Sequence, residues 1–161
     1  NNFIKNLSLD LKGNTLVLFS RVEAHGKVLY EMINSKKGDR KVFFIHGGVD
    51  AQEREQVREI TETENNAIIV ASYGTFSTGI NIKRLHNVIF ASPSKSRIRN
   101  LQSIGRVLRK GKDKVKATLY DISDDCTYRS KKNYTLNHFI ERIKIYNEEN
   151  FNYEIITIRI R

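Results

Sequence analysis

The eight residues from Gln102 to Arg109, QSIGRVLR, concentrate groups suited to phosphate chemistry. On a helix, Gln102, Arg106 and Arg109 are spaced by four and then three and share a face. Leu101, Ile104 and Leu108 fall away from it. Gly105 stands beside the polar stripe and costs about 1 kcal/mol of helix propensity relative to Ala. Its missing side chain lets another surface come close. Two guanidinium forks in register suit the equatorial oxygens of a transferring phosphoryl group. The same stripe, continued into Arg109-Lys110-Gly111-Lys112, also fits a solvated basic face.

Two further stretches carry polar groups after apolar runs. Ser72, Thr75, Ser77 and Thr78 supply hydroxyls, Gly74 and Gly79 supply bare backbone, and Asn81 follows. Such a segment can offer amides and hydroxyls to a phosphate chain, or it can be an ordinary turn. His46-Gly47-Gly48, with Arg54 beyond it, is a weaker case, because most such loops are only tight turns. No GxxxxGK[ST] phosphate loop occurs, and Asp124-Asp125 follows a strand with no such loop to work with. The chain is therefore expected neither to bind ATP tightly nor to hydrolyse it alone. GxGxxG is also absent after the first strand, where Ser20-Arg21-Val22-Glu23 stands, which excludes a dinucleotide fold of the usual kind. His25, His46, His86 and His138 are scattered, with no metal-ligand spacing, so no metal site is expected.

The elements that must position these groups alternate. Apolar runs predict strands at Thr15–Phe19, Lys41–Ile45, Ala67–Ala71, Asn87–Ala91 and Ala117–Ile122. Helical periods cover Val22–Ser35, Ser96–Lys110 and Tyr134–Asn147, and Asp50 with Glu53 opens another helix that runs to about Thr63. Ser92-Pro93-Ser94 stops the fourth strand. Glu154–Arg161 alternates Ile with Thr and Arg and predicts a half-buried strand at the C-terminus, one that either finishes the sheet at its edge or meets another part of the intact protein. The pattern is α/β: a single domain with a mainly parallel sheet and helices on both faces. Right-handed crossovers then place Ser20-Arg21, His46–Gly48, Ser72–Thr78 and Ser92–Ser96 as strand-to-helix loops at one sheet edge, where ligands of open α/β sheets bind.

The 161 residues suffice for one cored domain, and 39% of them are apolar, which favours a folded chain over disorder. A net charge of +10, from 28 Lys and Arg against 18 Asp and Glu, favours a polyanionic partner such as nucleic acid or nucleotide. Cys126 is the only cysteine, so no internal disulfide forms, and a reducing cytoplasmic setting fits. No apolar run is long enough to cross a bilayer, and NNFIKNLSLD is not a signal peptide. The missing initiator Met suggests a piece of a longer protein.

QSIGRVLR matches the QxxGRxxR element of superfamily 2 helicases, and the order of elements resembles their second, C-terminal RecA-like lobe along nearly the whole chain. Leu16–Arg21 (LVLFSR) is similar to the strand and loop that open that lobe, and Phe44–Gly48 with Arg54 to the following HG…R element. Ser72–Ile82 is similar to the segment that couples nucleotide state to nucleic acid. ASYGTFSTGIN and FASPSKS resemble most closely the recombination and repair helicases of phages.

The resemblance implies roles. Arg109 would be the arginine finger and Arg106 its companion on the γ-phosphate. Gln102 would hold the outer side of the nucleotide or the lobe interface. Gly79 would bring its amide near the γ-phosphate, with Asn81 and Gly105 also at the nucleotide. Ser20, Arg21, His46, Gly47, Ser72 and Thr75 would track a strand of DNA, or of an RNA–DNA hybrid, through its backbone. Asn81 replaces the family's usual Asp, and Tyr73 its usual Thr. ATP and Mg2+ would be shared with an N-terminal RecA-like lobe that supplies the phosphate loop and the magnesium carboxylates. The setting would be the cytoplasm of a phage-infected bacterium. A different class of reading keeps the fold and drops the motor: a non-catalytic basic α/β module whose arginine stripe touches backbone phosphate.

Overall fold

The computed structural model describes residues 1–79, 82–92, 117–129, 131 and 133–159. Elements follow in the order α1 (Asn2–Asp10), β1 (Thr15–Phe19), a π-helical turn (Val22–Lys27) running directly into α2 (Val28–Asn34), β2 (Val42–Ile45), α3 (Ala51–Thr63), β3 (Ile68–Ser72), α4 (Tyr73–Gly79), β4 (Asn87–Phe90), β5 (Thr118–Asp121) and α5 (Tyr134–Glu148).

The five strands form one sheet in the order β2-β3-β1-β4-β5, and every pairing is parallel. The central strand β1 is buried at every position, as a doubly covered strand must be. Its side chains divide between two cores. Leu16 and Leu18 join Val57 of α3, Tyr73 of α4, and Ile145 and Tyr146 of α5 on one face. Val17 and Phe19 join Ile4 of α1 and Leu29 and Ile33 of α2 on the other. The chain steps from β1 outward to β2 and then reverses through β3 and β4. Right-handed crossovers running in opposite directions must use opposite faces, which is why α2 lies across the sheet from α3 and α4.

Strand positions agree with the sequence reading to within a residue at each end. Asp50 caps α3, its Oδ1 accepting from the Glu53 amide at 2.7 Å. The proposed helix Ser96–Lys110 lies outside the described residues. Three differences have physical causes. First, α1 was not expected. It is nine residues long, and its first residue is preceded by an Asn that makes no side-chain cap. Its C-terminal end is completed instead by Arg40, whose guanidinium donates to the carbonyls of Ser8, Leu9, Leu11 and Gly13 and, through Nε, to that of Asn66. Carbonyls that a helix end leaves unpaired are thus satisfied from 30 or so positions away, which no local signal reveals. Second, Ser72–Thr78 is not a loop. Ser72 ends β3 and the chain enters α4 at once.

Third, no C-terminal edge strand forms among the described residues. Residues 151–159 have no regular secondary structure, and Ile155, Ile156 and Ile158 are exposed. Alternation fixes which side chains would share a face, but a strand exists only where an edge accepts its hydrogen bonds. Among the described residues none pairs with this segment.

Buried Asn14 sits just ahead of β1 and joins several elements. Its Nδ2 shares two protons among the carbonyls of Thr61 (2.9 Å), Glu64 (2.8 Å) and Arg84 (2.9 Å). Its Oδ1 accepts from the Ala67 amide at 2.9 Å. Its own amide donates to His86 Nδ1 at 3.0 Å, and its carbonyl accepts from the amides of His86 and Asn87. Gly13 precedes it at φ 92°, and a Cβ there would lie 2.6 Å from His86 Cγ. The sharp approach to β1 therefore needs glycine.

Two outcomes follow. Asn14→Ala leaves buried partners unsatisfied and should lower unfolding free energy by about 3 kcal/mol or more, measured by urea titration. His86 must keep Nδ1 unprotonated to accept from Asn14, and burial, aided by the Arg84 charge, lowers its pKa. Burial also lowers that of His25. The unfolded chain then binds more protons below about pH 6.5. Stability is full above that pH and should decline as pH falls through it, read as a falling urea midpoint from pH 7.5 to 5.5. His86→Asn, whose Oδ1 can take the place of Nδ1 as acceptor, should flatten the decline.

Candidate functional site

Parallel pairing brings the C-terminal ends of the strands to one edge. The register sets Phe19 opposite Ser72, Ile45 opposite Ala71, and Leu18 opposite Phe90. The segments beginning at His46, Ser72, Ser20 and Ala91 therefore leave the sheet side by side, in the spatial order of β2, β3, β1 and β4. All six proposed strand-tracking residues, Ser20, Arg21, His46, Gly47, Ser72 and Thr75, lie along this line.

Their surroundings differ. Arg21 is exposed and Ser20 half-buried. The Arg21 carbonyl accepts from the amides of His25 (3.2 Å) and Gly26 (2.9 Å). The second of these bonds spans five residues and makes the turn π-helical. Gly26 is buried against β1, where a Cβ would come within 2.3 Å of the Phe19 ring. The wide turn and the missing side chain go together, because the backbone rests directly on an aromatic face. The turn carries His25 to Ser92, just beyond β4, with Nδ1 and Oγ 2.7 Å apart.

His46 Nδ1 accepts from the Gly48 amide at 3.1 Å, so in the neutral ring the proton resides on Nε2. The imidazole packs on Phe44, their ring centres 5.1 Å apart, and Phe44 in turn stacks on Phe19 and Tyr30. Gly47 is exposed with open space where a side chain would be. This loop can offer a ring N–H and backbone amides to a phosphate. Arg54, half-buried, turns back to donate to the Asp50 carbonyl.

Ser72 and Thr75 are tied to each other. Their hydroxyls lie 2.8 Å apart, and the Thr75 amide is 3.3 Å from Ser72 Oγ. Ser72 thus acts as the N-cap of α4. Thr75 is 4% exposed, so the polar surface here is the backbone around Gly74, which is exposed and uncrowded. Gly79 is the last residue of α4. Asn81, Gln102, Gly105, Arg106 and Arg109 lie outside the described residues.

The sequence reading did not single out a buried group at the end of β5. Asp121 accepts from Arg142 Nε (2.7 Å) and Nη2 (2.8 Å) and from the Tyr146 hydroxyl (2.5 Å). Arg142 is 1% exposed. Burial and the neighbouring carboxylate raise the Tyr146 pKa. The group clamps α5 to the sheet one strand from Ala91, since Asp121 pairs with Phe90. The alternation of charged residues along α5 gave no sign that one arginine points inward.

A buried parallel sheet with its polar loops on one edge is the architecture of a RecA-like motor lobe. The helicase conserved C-terminal domain profile matches residues 1–111, and the chain belongs to that family, as a second lobe of the superfamily 2 type. It is similar to UvsW, an ATP-dependent DNA helicase of Enterobacteria phage T4, with 39% identity over 173 residues. That alignment takes in 99% of this chain and 34% of UvsW, so the chain spans about a third of its relative's length. The crystal structure of T4 UvsW superimposes with a TM-score of 0.79 at 40% identity, covering 97% of this chain and 34% of that one. The S. cerevisiae Dbp5 chain bound to Gle1 and IP6 shares the fold at 15% identity, with a TM-score of 0.65 over 91% of this chain and 36% of its own.

Gly26→Ala forces a methyl group into the Phe19 ring and should destabilise the domain by about 1–3 kcal/mol. Thermal unfolding measures the loss, and Gly38→Ala, an exposed position where a Cβ meets nothing but φ is 58°, should cost about 1 kcal/mol.

Proposed function

We propose that this chain is the C-terminal motor lobe of an ATP-dependent DNA helicase or translocase that acts on branched nucleic acid in recombination and repair, in the cytoplasm of a phage-infected bacterium. The observation that carries the reading is the common edge: the segments after β2, β3, β1 and β4 emerge side by side, in a chain 39% identical to an ATP-dependent DNA helicase over almost all its length. Ser20, Arg21, His46 and Gly47 hold one strand of DNA, or of an RNA–DNA hybrid, through backbone phosphates, with Ser72 and Thr75 acting through the first turn of α4 that they hold. They position it without reading bases.

An N-terminal RecA-like lobe of the same protein supplies the phosphate loop. Mg2+ takes its carboxylates from that other lobe. This lobe closes on ATP with Gly79, Asn81 and Gly105 near the nucleotide. Arg109 is the finger, Arg106 its companion on the γ-phosphate, and Gln102 orders the outer side of the site. An arginine finger contributes roughly 10³–10⁵ in rate. Loss of the γ-phosphate opens the lobes and shifts the grip on the strand. The lobe alone is inactive as an ATPase.

Arg109→Ala in the full-length protein should reduce ATP turnover by roughly 10³-fold or more while strand binding persists, measured by phosphate release and by fluorescence anisotropy. Turnover near the wild-type rate would remove the finger assignment.

A further inference from the structure

We propose that His25 and Ser92 are a positioning pair that couples strand binding to ATP turnover. This inference rests on the motor reading above and assigns two residues to which that reading gives no role.

The pair spans 67 positions of sequence and joins the segments that follow two adjacent strands, β1 and β4. At one end, His25 belongs to the π-helical turn whose first carbonyl is that of Arg21. That turn rests on β1, with Gly26 against the Phe19 ring. The Arg21 carbonyl holds the His25 amide, so a displacement at Arg21 is passed to His25. At the other end, Ser92 follows the last residues of β4 and precedes, by four positions, the helical pattern Ser96–Lys110 that bears Arg106 and Arg109. Nothing else among the described side-chain hydrogen bonds links these two segments.

The chemistry suits a mechanical link. Both partners are half-buried, and a hydrogen bond shielded from water is stronger than one at the surface. Burial keeps the imidazole neutral near pH 7, so the bond joins two uncharged groups and adds no field of its own to a phosphate site. The alternatives for these residues are weaker. A purely structural tie is the same contact without consequence at a distance, and the test below separates the two. A direct phosphate contact would need Nδ1 or Nε2 turned to solvent, whereas His25 is half-buried with Nδ1 on Ser92.

The test uses the full-length protein. His25→Ala and Ser92→Ala each remove one net hydrogen bond, about 1 kcal/mol. Each should therefore lower the strand-stimulated kcat of ATP hydrolysis by about fivefold. The unstimulated rate, the KM for ATP and the Kd for single-stranded DNA should stay unchanged. His25→Asn places an amide nitrogen or oxygen where Nδ1 stands and should restore stimulation. The double variant His25→Ala/Ser92→Ala should be no worse than either single change. Undiminished stimulation in the single variants would overturn the pairing. So would equal loss of stimulated and unstimulated rates, or additive losses in the double variant. The full-length wild-type protein, assayed alongside, keeps the two proposals apart: if it shows no strand-stimulated turnover the motor reading fails, and if it is stimulated while His25→Ala changes nothing, the pair alone fails.

Discussion

One asparagine aligns the starts of three strands. Asn14 receives the entrance of β3 on its Oδ1 and the entrance of β4 on its backbone carbonyl, and its own chain continues directly into β1. A parallel sheet lacks the hairpins that fix register in an antiparallel one, so register needs another device. Here the amide also holds the last carbonyls of α3 and that of Arg84, so the crossovers that return the chain to β3 and β4 end at the same point. Thr15 then faces Ile68 on one side and Asn87 on the other. Because strands that begin level and have similar lengths also finish level, the opposite edge inherits its order from this end. The side-by-side exit of Ser20, Ser72 and Ala91 is thus set roughly five residues away, at the far rim of the sheet.

The strands were legible in the sequence because each is a buried apolar run between polar breaks. Helix α3 was legible because Asp50 and Glu53 mark its start locally. What escaped the sequence depends on partners far along the chain. Helix α1 is completed by Arg40, Asn14 is satisfied by residues 47 to 72 positions on, and Arg142 is buried because Asp121 receives it. Each of these residues reads in sequence as an ordinary polar surface residue. The C-terminal alternation failed for the complementary reason: its pattern is entirely local, whereas a strand requires a neighbour.

The candidate site divides along the same line. The loop residues could be placed at one edge from strand and helix order alone, by the handedness of crossovers. Their individual states could not. Ser72 serves α4 as a cap, Thr75 is inside, and His46 has its tautomer set by the Gly48 amide. The hydroxyls that seemed the richest phosphate donors are partly spent on holding the backbone at the start of α4. Glycine contributes differently at three points of this edge. Gly26 permits contact with a ring beneath it, whereas Gly47 and Gly74 leave room above them.

The clasp around α1 limits how this protein can drift. A guanidinium fork reaches five carbonyls in separate directions, whereas an ammonium is a single point with three donors. Lysine, often the easiest exchange for arginine, could not serve the scattered acceptors at position 40. Arginine at that position and the short opening helix should accordingly be inherited together, and in descendants that dispensed with the helix the position would be free to vary.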